Sequence, residues 1–240
     1  MGDNYFDNYD QASAINRLLN QVGTSIAKET ARKEFIPTLG GNFILYDTTR
    51  RPVQLEEPTY NGKTYAARSF NWPRTGNLFW IMKYDFPAFF DLMEKAGMVD
   101  QTWGELIFIN ETAFHTVFVP SDEALSGFDA ESLTLEELRL FIKYHYVEGD
   151  IIFTDGNKPS GHYETLREDE SSTTYLAHFS RLNIKPEPDR IKIYDQNGNL
   201  VVDMPEHWER TNIMFGRRDP SYITTGVIHE IDTVLLYSPQ

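Results

Sequence analysis

Cysteine is absent from the 240-residue chain, which excludes a disulfide framework and leaves the compartment unreadable from thiols. Basic residues are scarce as well: 22 Lys and Arg stand against 36 Asp and Glu, a formal net charge of −14. With no basic stripe to offer a local exception, a phosphate backbone is repelled at long range, and nucleic acid is excluded as a partner. No run reaches the ~20 apolar residues that span a bilayer; the densest are Leu78 to Met82 and Val234 to Tyr237. The opening MGDNYFDNYD lacks the basic start and apolar stretch of a signal peptide.

The spacings that catalysis requires are missing too. The six histidines, His115, His145, His162, His178, His207 and His229, form no His-Glu-x-x-His or other tight zinc pair, which leaves open only a zinc site assembled from distant strands. No Asp-x-Asp-x-Asp-Gly calcium loop and no Gly-x-Ser-x-Gly elbow occurs. Gly62-Lys63-Thr64 echoes the end of a phosphate loop, but Glu57 stands where a glycine is needed. No catalytic, cofactor or metal residue is therefore assigned.

What remains is ample for a core, since 40% of residues are hydrophobic and 14% aromatic. The charge is uneven: residues 84–240 carry 28 acidic and 12 basic side chains, whereas 1–83 carry 8 and 10. That break places a boundary near Lys83, giving an N-terminal unit 1–83 and a second domain 84–240.

Two segments of the second domain look like its centre. His115 to Ala124, HTVFVPSDEA, is an apolar run stopped by Pro120 and followed by residues suited to a helix cap and first turn, a strand turning into a helix. Gly226 to Leu236, GVIHEIDTVLL, reads as a mostly covered strand. Between them Thr134 and Glu137 form a capping-box pattern, and Leu135, Leu138, Phe141, Ile142 and His145 line one helix face.

The pair resembles the signature segments of the fasciclin domain, which run like TVFAPTDEAF and NGVIHVIDTVLLP, and Tyr144-His145 matches the Tyr-His pair that the family carries between them. DFPAFFDLMEKAGMVD, from Asp85, resembles the family's opening helix. The resemblance spans about residues 84–238 and implies an α+β fold, a mixed β-sandwich wedge flanked by helices. Its structural signature falls on Thr116, Phe118, Pro120, Asp122, Gly226, His229 and Asp232. It also implies a non-enzymatic, extracellular or cell-surface adhesion module whose leader or lipid anchor, as in a bacterial lipoprotein, has been removed.

Residues 1–83 look like the back half of an earlier copy, with a helix over 12–27 (Ile15, Leu18, Leu19, Val22 and Ile26 on one face), then strands at 42–46, 53–55, 64–68 and 78–82. A half domain must cover its exposed edges, by packing on the second unit or by forming a homodimer. In the second domain we expect Asp85 as a helix N-cap, helix continuing over 101–109, and strands at 151–153, 163–166, 173–178, 181–185, 191–194 and 200–203. Gln196-Asn197-Gly198-Asn199 is a hairpin turn, and 206–220 a long loop with an exposed tip.

Each polar site has a bland reading beside its functional one. In the family the Tyr-His pair is associated with receptor binding, so Tyr144 and His145 are interaction candidates, yet a buried His donating to a carbonyl explains His145 equally well, and His229 likewise. Asp122 and Glu123 are helix-capping carboxylates before they are ligands. Trp72 and Trp208, each in a polar loop, are candidates for a sugar platform, together with Trp103, Tyr60 and Tyr65. The alternative function is accordingly a glycan-binding accessory protein on a bacterial surface. Asn110-Glu111-Thr112 is a glycosylation sequon for a eukaryotic host.

Overall fold

The computed structural model describes residues 15, 19, 22–24, 33–47, 53–54, 65–66, 77–110, 112–169, 178–195, 197–207, 209–216 and 223–237. The chain forms two compact units, one of residues 1–75 with 216–224 and the other of 76–215 with 225–240.

In the first unit, β1 (Lys33–Pro37) and β2 (Phe43–Asp47) make an antiparallel hairpin. The Thr38 hydroxyl accepts the Asn42 N–H at 3.0 Å across its turn, and Gly41 takes a φ of +82°, a conformation that glycine adopts without strain. β3 (Val53–Gln54) and β4 (Tyr65–Ala66) pair likewise. Ile15 and Leu19 are helical and, with Val22, at least a third exposed, so the described part of the expected apolar face is not packed away. Leu18 and Ile26 of that face lie outside the described residues.

The second unit has an α+β fold built on an eight-stranded mixed sheet in the order β12-β11-β10-β9-β8-β7-β14-β13. The strands are β7 (His115–Pro120), β8 (Tyr146–Glu148), β9 (Gly161–Glu168), β10 (Phe179–Glu187), β11 (Arg190–Tyr194), β12 (Leu200–Pro205), β13 (Ile213–Gly216) and β14 (Thr224–Ile231). β5 (Val99–Asp100) and β6 (Glu105–Leu106) form a separate small hairpin. The helices are α1 (Leu78–Asp85), α2 (Pro87–Lys95), α3 (Asp122–Ser126) and α4 (Leu135–Tyr144).

β7 and β14 run parallel, Val227 opposite Thr116 and His229 opposite Phe118. Every residue of β7 is buried because the sheet is covered on both faces there. Its side chains alternate: Val117 and Val119 join a core with Phe79, Phe89, Met93 and Ile142, while Phe118 joins a second with Ile152, Leu182, Ile184 and Leu235. β10 instead alternates buried and accessible positions, as a strand with one wet face does.

The cap signals hold. Ser121 Oγ accepts the Ala124 N–H at the start of α3, and Thr134 with Glu137 completes a capping box at α4. Five expectations are corrected. Leu78–Met82 is helix α1, not a strand: Asn77 Oδ1 accepts the Trp80 N–H at 3.2 Å, and Leu78, Ile81 and Met82 fall on one buried face. Asp85 is the last residue of α1, and Phe86 caps α2 with Pro87 at its first position, where proline is tolerated. Residues 101–109 are not helical, because Asp100 Oδ1 accepts the N–H groups of Thr102 and Trp103 and Gly104 turns at φ +68°, doubling the chain back into β5–β6. Ile151–Phe153 is buried but joins no ladder, and Leu135 at 51% exposure faces away from the core. The expected strand over 173–178 lies outside the described residues save His178.

Candidate functional site

Buried polar atoms must find partners or lose their hydration energy, so the buried histidines are the place to look for chemistry. His115, His145 and His229 are at most 1% exposed, while His162, His178 and His207 are exposed.

His145 is the C-cap of α4, and its ring is packed against Phe141 and Phe89, with centroids 4.7 and 5.4 Å away. Its Nε2 receives the Leu235 N–H at 3.2 Å. An amide can only donate, so Nε2 is the bare nitrogen, and the proton sits on Nδ1, which donates to the Phe141 carbonyl at 2.9 Å. Burial pushes its pKa down to about 4, and the bond to the Phe141 carbonyl offsets this only in part. The ring is thus a neutral rivet between α4 and the C-terminal segment.

His229 takes the opposite tautomer. The Asn212 N–H points at Nδ1 from 3.4 Å, and Nε2 donates to the Ile152 carbonyl at 2.8 Å. The ring also stacks on Phe118 at 5.7 Å. Thr116 completes the seam, its hydroxyl donating to the Asp150 carbonyl at 2.8 Å and accepting the Ile152 N–H at 2.9 Å. These bonds supply the partners that residues 150–152 lack for want of a ladder. Replacing Thr116 by valine keeps the shape and strands both groups, so we expect a loss of about 2 kcal/mol in urea unfolding with an unchanged slope.

His115 is held differently. A hydrogen bond to the Ala113 carbonyl favours its charge, but burial is the larger effect and lowers its pKa. Its Nε2 has no hydrogen-bond partner among the described residues. Among these residues no cluster of His, Asp or Glu is arranged to hold a metal ion.

Tyr144, the other half of the expected interaction pair, is 4% exposed. Tyr237 sits edge-on to it at 5.7 Å, and the Arg167 guanidinium lies 3.4 Å from the centre of the Tyr237 ring. Arg167 is itself buried and donates to Ser180 Oγ at 2.9 Å. Burial therefore drives the Tyr144 pKa up to about 12. Tyr144 and His145 are brought together, but under the segment 235–237 and not at an open surface.

The other signature residues divide by exposure. Phe118 and Pro120 are buried in β7 and Gly226 in β14, whereas Asp122 lies exposed in the first turn of α3 and Asp232 is exposed just past β14. Trp72 and Trp208 lie outside the described residues.

A surface feature escaped the sequence reading. Trp80 and Tyr84, one helical turn apart on α1, hold their rings nearly parallel, 13° between planes and 5.8 Å between centres. They are 39% and 72% exposed, and Trp103, 76% exposed, projects from the turn whose Gly104 abuts Trp80. The i, i+4 spacing of the two aromatics was the available signal, hidden by reading 78–82 as a strand.

The fasciclin domain model matches residues 84–237. Among solved structures the chain is similar to a pair of FAS1 domains from the insect cell adhesion molecule fasciclin I, at 13% identity and a TM-score of 0.44, covering 87% of this chain and 72% of that one. No curated protein matches the chain.

Proposed function

Because this chain belongs to the fasciclin family, we propose that it is a non-enzymatic binding module of the cell surface or extracellular space, acting in adhesion or protein interaction. The observation that carries this reading is the use made of the polar core. His145 and His229 spend both ring nitrogens on neighbouring backbone groups, and Thr116 spends its hydroxyl the same way, so these groups build the scaffold. What is left to meet a partner is the outer surface of a rigid frame. A second reading, the binding of surface glycans, is favoured by the exposed Trp80, Tyr84 and Trp103.

The test is retention. Beads carrying the intact chain are passed over arrayed matrix proteins and polysaccharides, and the chain is assayed in parallel with chromogenic esterase, phosphatase and glycosidase substrates. Saturable retention without turnover is expected; turnover that rises in proportion to protein and survives repurification contradicts the module reading.

A further inference from the structure

We propose that the ledge formed by Trp80, Tyr84 and Trp103 is a binding platform for a neutral carbohydrate chain. The inference rests on the binding-module reading and adds to it a site and a ligand class.

The ledge is built to stay in place. Trp80 stands edge-on to Phe79 at 4.8 Å, and Phe79 edge-on to Phe90 at 5.3 Å, so the exposed indole is continuous with rings that are 1% and 3% exposed. The Lys83 ammonium lies 5.8 Å from the Trp80 ring centre and donates to Gln101 Oε1 at 2.9 Å. On the facing turn, Asn77 Nδ2 donates to the Gly104 carbonyl at 3.1 Å, and a Cβ on Gly104 would lie only 3.4 Å from Trp80 Cζ2. Helix and turn are thus tied together with Trp103 at their rim. Trp80 and the turn backbone are therefore in place before a ligand arrives, which lowers the cost of binding.

Trp80 and Tyr84 stack on each other, so what remains open is the outer part of that stack and the Trp103 indole, and exposed aromatic faces select ligands that are themselves flat and rich in C–H or π surface. Nucleobases fit that description, but a single-stranded nucleic acid needs a positive groove for its phosphates, and residues 84–240 carry 28 acidic against 12 basic side chains. The same charge disfavours uronate and sulfated glycans. A neutral pyranose offers one apolar face to stack on the rings and hydroxyls at its edge. The exposed Gln101 amide and Thr102 hydroxyl stand on the turn that carries Trp103, where those hydroxyls would seek partners.

The experiment is affinity gel electrophoresis of the intact chain through gels containing mixed-linkage β-glucan, xyloglucan, mannan or, as the acidic comparison, polygalacturonate. Tyr84→Ala and Trp103→Ala are run beside it, both being surface changes expected to leave the melting temperature unmoved. The expected result is retardation by at least one neutral polysaccharide, weakened at least tenfold in each variant, and none by polygalacturonate. No retardation in any neutral gel overturns the proposal. So does retardation that both variants keep, which would leave a glycan-binding module with its site elsewhere. Retention on a matrix protein that the variants lose would assign the ledge to a protein and overturn the ligand class alone. Silence on the bead array as well as in the gels would remove the module reading itself.

Discussion

Gly226→Ala is expected to cost about 3 kcal/mol or more. Gly226 opens the GVIH segment of β14 and lies opposite His115 of β7. A Cβ there would overlap Phe215 Cζ, and would sit 2.5 Å from the His115 carbonyl oxygen and 2.6 Å from Phe215 Cε1. Neither neighbour can give way cheaply. Phe215 is 3% exposed within the core, and the carbonyl belongs to a strand buried on both faces. The glycine is therefore required for the close approach of two strands and not for an unusual φ. Gly161→Ala is the matched comparison, because a Cβ at that position meets nothing within 4 Å; it should change stability by less than about 1 kcal/mol. Chemical denaturation of both variants measures the difference. Equal losses would show that the β7–β14 seam tolerates a methyl group, against the packing described.

The second large effect is a dependence of stability on pH that belongs to His145. Folded, its pKa is about 4; in the unfolded chain it returns to its ordinary value of 6.5. Between those values the unfolded state binds a proton that the folded state refuses, so stability falls as pH falls through this window. Above 6.5 the ring is neutral in both states and contributes nothing to the slope. Below about 4 the full difference has been lost, on the order of 3 kcal/mol. The structural event is specific: a proton on Nε2 would face the Leu235 N–H, donor against donor, and break the tie between α4 and the C-terminal segment. His145→Gln cannot titrate, so its urea midpoint should vary less between pH 7 and pH 4.5 than that of the unaltered chain, whatever its absolute stability. Identical pH slopes for the two would remove His145 as the cause.

The features legible in the sequence were those with local causes. β7 announced itself by an unbroken apolar run closed by Pro120 and a capping serine, and α4 by Thr134 and Glu137 at capping-box spacing. The misreading at Leu78–Met82 has a definite origin. Five consecutive apolar residues fit a buried strand and a buried helix equally, and only Asn77, as N-cap, distinguished them. With that helix goes the closing strand on which the idea of an N-terminal half repeat partly leaned. The turn at 100–104 was missed because Asp100 acts on backbone groups two and three residues ahead, while the spread of apolar residues looked helical.

The histidines mark the limit of reading a chain alone. The family resemblance singled out His145 and His229, but nothing nearby in sequence discloses that one meets Leu235, 90 residues away, or that the other meets Ile152, 77 residues away. Their roles are set by tertiary contacts, and so is the burial that keeps His145 neutral. The aromatic ledge was obscured for a related reason, since Trp80 and Tyr84 become neighbours only once the segment is helical.

The central claim is that the Tyr-His and GVIH signatures hold this scaffold together, leaving recognition to its surface. The most direct measurement is nitrogen-detected NMR of the imidazoles in the intact, unliganded chain at pH 6 to 7. The expected result is a neutral Nδ1–H tautomer for His145 that does not titrate in that range, and the Nε2–H tautomer for His229. A His145 ring that titrates near 6.5, or that exchanges freely between tautomers, would place it in contact with solvent and contradict the account.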